Sequence, residues 1–203
     1  MGSELVLVRH GRTDWNDQGR YQGHEGPGLN ALGRRQAKSA AKELSPSPVQ
    51  ALYSSDLPRA VETAQIIGDA LDLTVCTDPR LREIHQGKWQ GMLIDDIKVQ
   101  YAQTLSRYIS DPVHNSSPGG ETMADLARRF VAALDDIAAK HQDQRIVIVT
   151  HNLPMAIVSC MVAAKPPREV WGAIPENAQV LSFWWPLERG VTDIEAWLSY
   201  GGE

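Results

Sequence analysis

The sequence predicts an α/β protein, a three-layer α/β/α sandwich with a mostly parallel central sheet. Three observations carry that prediction. Short apolar, β-branched runs alternate with longer helical patterns along the chain. The runs within 4–9 ("ELVLVR") and 145–150 ("RIVIVT") are apolar at consecutive positions, the pattern of buried strands. Neither an internal repeat nor a low-complexity tract breaks the alternation. The 203 residues suffice for one sizeable core, so a single domain over 1–203 is expected.

Each element has a local reason. After the strand at 4–9, "LNALGRRQAKSAAKEL" reads as a helix capped by Asn30. Its Ala37, Ala40, Ala41 and Leu44 recur at helical spacing, and small residues on that face would let it lie close to a sheet. A second strand is expected at 49–55. A helix follows in "DLPRAVETAQIIGDAL", with Asp56 near its cap and Pro58 in the first turn, where proline is tolerated. "LTVC" reads as a short strand at 73–76. Residues 78–120 are less regular, with one short helix expected near 92–103, and a connection of this length is often functional. Met123, Leu126, Phe130, Leu134 and Ile137 step by three or four through the clearest helix, 122–141. The strand at 145–150 runs into His151, and "LPMAIVSCMVAA" forms an apolar helix after it. "QVLSFWW" and "DIEAWLSY" are the last two strand candidates.

Composition excludes several classes. Net charge is −5 and no Lys/Arg run makes a basic patch, so no nucleic-acid partner is expected. The chain shows neither a signal-peptide pattern nor an apolar stretch of membrane-spanning length, which argues for a cytoplasmic protein without a membrane partner. Cys76 and Cys160 form no CxxC pair and read as buried, small, apolar side chains. A monomer or homodimer is expected.

Ligands of open α/β sheets sit beyond the carboxyl ends of the strands. The first strand exits into Arg9-His10-Gly11, the second into Ser54-Ser55-Asp56 with Arg59 at the next helix start, and the 145–150 strand into His151-Asn152. Two histidines and two arginines are therefore predicted to converge. Two guanidinium groups facing one spot suit a dianion such as phosphate. Their charge depresses the pKa of a histidine between them, and a neutral imidazole is a nucleophile that can accept a phosphoryl group. A leaving alkoxide also needs a proton, and Glu83 in the irregular segment is the candidate acid. The same arginine charge is expected to lower the pKa of Glu83. The alternative for Glu83 is a surface carboxylate paired with Arg80 or Arg82. The Arg-Arg pairs at 34–35 and 128–129 read as solvated helix faces. His24 and His85 could line the entrance. A metal site is not expected, since HExxH spacing is absent and the arginines would repel a divalent cation.

In order along the chain, "LVRHG", "SSDLPRA", "LREIHQGKWQG", "GGET" and "VIVTHN" resemble the histidine phosphatase superfamily, in the branch that includes cofactor-dependent phosphoglycerate mutase. The resemblance covers roughly residues 4–165. It implies that His10 is transiently phosphorylated, that Arg9, Arg59 and His151 hold the phosphoryl oxygens and that Glu83 donates the proton. It also implies that Thr13, Asn16, Gln22 and Gly23 line the phosphate and substrate entrance, and Asn152 at the strand exit is taken with them as a substrate-binding candidate. The chain departs from the family pattern at Arg12, His85-Gln86 and Asn152. Mutases of the family are typically longer and carry an "HYG"-type segment where this chain has "HQGKWQG". The reading is a metal-independent phosphatase of a small phosphorylated metabolite, without a cofactor. The alternatives are a cofactor-dependent phosphoglycerate mutase and a non-catalytic phosphate-ligand binding protein.

Overall fold

The computed structural model describes residues 2–186 and 193–200. Five strands form one sheet: β1 (Ser3–Arg9), β2 (Ala51–Ser54), β3 (Val75–Thr77), β4 (Arg145–Thr150) and β5 (Val180–Trp185), in the order β3-β2-β4-β1-β5. The first four are mutually parallel where they pair, and β5 closes the edge antiparallel to β1. The helices are α1 (Asp14–Asp17), α2 (Ala31–Leu44), α3 (Pro58–Leu71), α4 (Ile94–Gln100), α5 (Ala102–Ser110), α6 (Met123–Lys140), α7 (Asn152–Val162) and α8 (Ile194–Leu198). No helix among the described residues is long and apolar enough to cross a membrane.

The consecutive apolar runs are explained by cover on both faces. Alternate side chains of a strand point to opposite faces. Val6, Val8, Val147 and Val149 pack with Ala40, Ala41, Ala60 and Ala64 of α2 and α3. Leu5, Leu7, Ile146 and Ile148 pack on the other face with the larger side chains of α6 and α7, including Leu126, Phe130 and Met155. The small face lets α2 and the loop after β1 meet backbone to backbone. A Cβ at Gly33 in α2 would lie 2.1 Å from the Arg12 carbonyl oxygen, and one at Gly11 would lie 2.5 Å from the Gly33 oxygen.

The register sets the site. Arg9 of β1 pairs with Thr150 of β4, and Ser54 of β2 pairs with Val149. The chain therefore leaves three neighbouring strands at His10, His151 and Ser55, side by side.

Four expectations are corrected. "DIEAWLSY" is not a strand: Asp193 accepts from the backbone N–H groups of Glu195 and Ala196 and caps α8. Burial of the adjacent Trp197 and Leu198 is compatible with one helix face, and the cap decides the conformation. The helix near 92–103 is two helices, broken at Tyr101, whose backbone (φ −128°, ψ 30°) is not helical. α3 starts after Leu57 without a side-chain cap; Asp56 lies beside that start, near the cap as expected, and is paired with Arg82 at 2.5 Å. Cys76 is exposed on the edge strand β3, whereas Cys160 is buried. Arg129 is not solvated with its neighbour: it reaches under the 80–83 segment.

Replacing a helical glycine with alanine normally stabilises by roughly 1 kcal/mol. Here the added methyl group has backbone in its way, so Gly33→Ala should destabilise by about 1–3 kcal/mol instead. Urea unfolding measures the sign, and a stabilised variant would mean that α2 does not touch the His10 loop.

Candidate active site

His10 begins where β1 ends, its N–H donating to the Thr150 carbonyl at 2.9 Å. The side chain is buried, with Nδ1 2.7 Å from the Gly11 carbonyl oxygen. A carbonyl only accepts, so Nδ1 carries the proton and Nε2 presents a lone pair. Arg59 agrees with that tautomer, since its Nε donates to His10 Nε2 at 3.2 Å. Burial, then the charges of Arg59 and Arg9, hold the His10 pKa well below the usual histidine value.

Arg59 is only 1% exposed. Its remaining nitrogens donate to the carbonyls of Glu25 (2.9 Å) and Gly23 (2.7 Å), so one guanidinium ties the nucleophile candidate to the loop opposite. Gly23 has φ +56°, and a Cβ there would lie 2.5 Å from Gln90 Oε1. Burial pulls the Arg59 pKa down to about 10, with Arg9 adding to the effect and Glu83 opposing it. Arg9 donates from Nη1 to the Pro175 carbonyl at 2.6 Å, and its buried Nε has no acceptor among the described residues.

His151 starts the turn into α7 and lies with its ring centroid 5.2 Å from that of His10. Its Nε2 is 2.8 Å from Ser55 Oγ, which also accepts from the Leu57 N–H at 3.3 Å. A hydroxyl keeps one proton beside its two lone pairs, and His151 Nε2 is the acceptor within reach of that proton among the described residues; with that bond made, the imidazole proton sits on Nδ1. That buried nitrogen has no partner among the described residues. Arg59 Nε thus meets His10 Nε2 directly, and Arg9 Nε and His151 Nδ1 are buried donors with no acceptor among the described residues, the kind of donors that a tetrahedral dianion needs.

Glu83 is buried rather than paired with its arginine neighbours. Arg80 binds Asp78 and Asp136, and Arg82 binds Asp56. Glu83 Oε1 accepts from the Ile84 N–H at 2.9 Å. Burial raises its pKa and outweighs the lowering by Ile84, Arg59 and Arg9, which reverses the direction expected from charge alone. Arg129, ion-paired with Glu121 at 2.7 Å, donates to the carbonyls of Arg80, Arg82 and Glu83, each at 2.8 Å. His24 Nε2 donates to the Glu83 carbonyl at 2.8 Å.

Beside these groups lies a cavity of about 290 Å³, whose wall includes Arg9, His10, Arg59 and Glu83, with Asn16, Gln22, Gly23 and Asn152; His151 is fully buried next to His10, outside the lining. Thr13 lies outside the lining. It is fully buried, caps α1 through the Asn16 N–H and sits 3.1 Å from Gln22 Oε1, so it orients two wall residues. His24 and His85 are not in the wall either; their rings pack on each other at 4.9 Å. Sequence reading missed the far wall: Arg20, Tyr21, Ile84, Gln86, Tyr108, Leu153, Trp171 and Ile174. Only the long irregular segment at 78–120 hinted at Gln86 and Tyr108.

The family profile described as histidine phosphatase superfamily (branch 1) matches residues 5–196. Phosphoserine phosphatase 1 of Hydrogenobacter thermophilus is 35% identical over 175 residues, covering 86% of this chain and 83% of that protein. Phosphoglycerate mutase-like protein 4 of Arabidopsis thaliana is 41% identical over 153 residues, covering 74% and 66%. The solved structure of mycobacterial glucosyl-3-phosphoglycerate phosphatase superposes with a TM-score of 0.81 at 31% identity, covering 96% of this chain and 94% of that one. The chain belongs to the histidine phosphatase superfamily.

Proposed function

We propose that the protein is a metal-independent phosphoric monoester hydrolase that cleaves a small phosphorylated metabolite through a phosphohistidine at His10. The observation that supports this most is the bare Nε2 of a neutral, buried imidazole set among guanidinium donors. The Nε2 lone pair attacks phosphorus, and the bond from phosphorus to the leaving oxygen breaks. That oxygen takes the proton of Glu83, whose raised pKa favours the acid form. Arg59 Nε–H exchanges the lone pair for a phosphoryl oxygen, joined by Arg9 and His151 Nδ1–H. The arginines supply the charge neutralisation that a metal ion would otherwise provide. Water then attacks phosphorus, Glu83 takes its proton and the N–P bond returns its electrons to Nε2. Release to water rather than to a second substrate fits the short "HQGKWQG" segment and the phosphatase names among the relatives.

Acid-sparing quench of the enzyme during turnover, followed by mass spectrometry, should find a labile phosphoryl group on the peptide that carries His10, and the yield should survive excess chelator. Label on a serine or aspartate peptide would overturn the mechanism.

Glu83→Gln tests the proton donor. An alkyl phosphate expels a strongly basic alkoxide, whereas p-nitrophenyl phosphate expels a stable phenolate. Single-turnover phosphorylation by the alkyl ester should slow by roughly 10²–10⁴-fold and by the nitrophenyl ester much less. Equal losses would remove Glu83 from this role.

A further inference from the structure

The far wall holds a polar group that phosphate chemistry does not use. Gln86 lines the cavity yet is only 7% exposed. Its Nε2 donates to the Tyr108 hydroxyl at 3.2 Å, while its buried Oε1 has no partner among the described residues. An unmet buried carbonyl is destabilising, and native proteins retain one mainly where something else meets it. Tyr108 cannot turn away to leave the amide free. It is 1% exposed, and its ring is packed against Trp89 (5.5 Å) and Trp171 (5.3 Å).

The position of Gln86 assigns it to the leaving group. It lies three residues after Glu83 on one segment, and the phosphoryl end is taken by His10, Arg9 and Arg59. Around it the wall is neutral: Tyr21, Ile84, Tyr108 and Trp171. Arg20 also lines the cavity, but its Nε and Nη1 are committed to Gln18 and to the Gly91 carbonyl. The amide can present either end. As placed, Oε1 is the end left without a partner; after a half-turn, Tyr108 O–H donates to Oε1 and the NH₂ is the free end. A hydroxyl meets both arrangements, because it donates and accepts. A cavity of about 290 Å³ leaves room beyond the phosphate for a leaving group of a few carbons.

Resting on the phosphatase reading above, we propose that Gln86, held by Tyr108, makes the enzyme select short leaving groups that carry a hydroxyl. Sites that hydrogen-bond a substrate hydroxyl reject the analogue lacking it, since their own buried polar group is then unpaired.

The test compares kcat/KM for glycerol 1-phosphate, as both enantiomers, with propyl phosphate. In the wild type the better glycerol ester should exceed propyl phosphate by at least about tenfold. In Gln86→Met the ratio should fall to within about threefold of one. Tyr108→Phe keeps the packed ring and removes the hydroxyl that holds the amide, so its ratio should fall between the two. A wild-type ratio near one, or a ratio unchanged in both variants, would overturn the proposal. So would cleavage of p-nitrophenyl phosphate with neither alkyl ester turned over. If Gln86→Met does not fold, the wild type and Tyr108→Phe decide. Failure of the wild type to release phosphate from any of these esters would instead overturn the phosphatase reading.

Discussion

The structure depends on a buried cation. Arg59 is enclosed with no carboxylate ion pair among the described residues, held by two backbone carbonyls and the lone pair of His10. Removing a guanidinium from water costs several kcal/mol unless its donors are met. Protonation of His10 would turn the acceptor at Nε2 into a donor and set a second positive charge 3.2 Å away. The imidazole is therefore kept neutral by the same contact that satisfies the arginine. The Gly11 carbonyl fixes which nitrogen is bare. The proposed nucleophile and the proposed anion site are one interaction, not two features that happen to be adjacent.

The fold supplies the geometry for this contact through backbone register. Parallel strands β2, β4 and β1 end together, so three successive exits deliver Ser55, His151 and His10 to one edge. The glycine contact between α2 and the 10–12 loop holds the first exit from behind. Glu83 comes from outside the sheet, on a segment that has little regular structure of its own. Arg129 and His24 bind its carbonyls instead, and the neighbouring arginines are neutralised by Asp56, Asp78 and Asp136. With no cation among the described residues directly paired to its carboxyl group, burial decides the direction of its pKa shift. Burial disfavours the charged form of both groups, which lowers the pKa of His10 and raises that of Glu83, the directions that suit a nucleophile and an acid at one pH.

Much of this was legible because strand exits are a local property. An apolar run ending in Arg9-His10-Gly11 states both the strand and the place where it stops. The grouping of His10, Arg9, Arg59, His151 and Glu83 could be drawn from such exits and from motif order. What could not be read depends on contacts distant in sequence. Arg129 looked like the second half of an exposed pair with Arg128, and only the docking of α6 under residues 80–83 reveals its task. The direction of the Glu83 shift was misjudged because nearby arginines can be counted in a sequence and burial cannot. The far wall combines Tyr21, Gln86, Tyr108 and Trp171, which no spacing rule joins. "DIEAWLSY" failed for a local reason: the cap at Asp193 was weighed less than the apolar residues after it.

Nitrogen-15 chemical shifts of the His10 side chain test the central contact directly, followed from about pH 8 to about pH 5, the range in which an ordinary histidine titrates. The account predicts a protonated Nδ1, an unprotonated Nε2 and no titration of His10 across that range. A proton on Nε2, or a His10 that becomes charged near neutral pH, would contradict it.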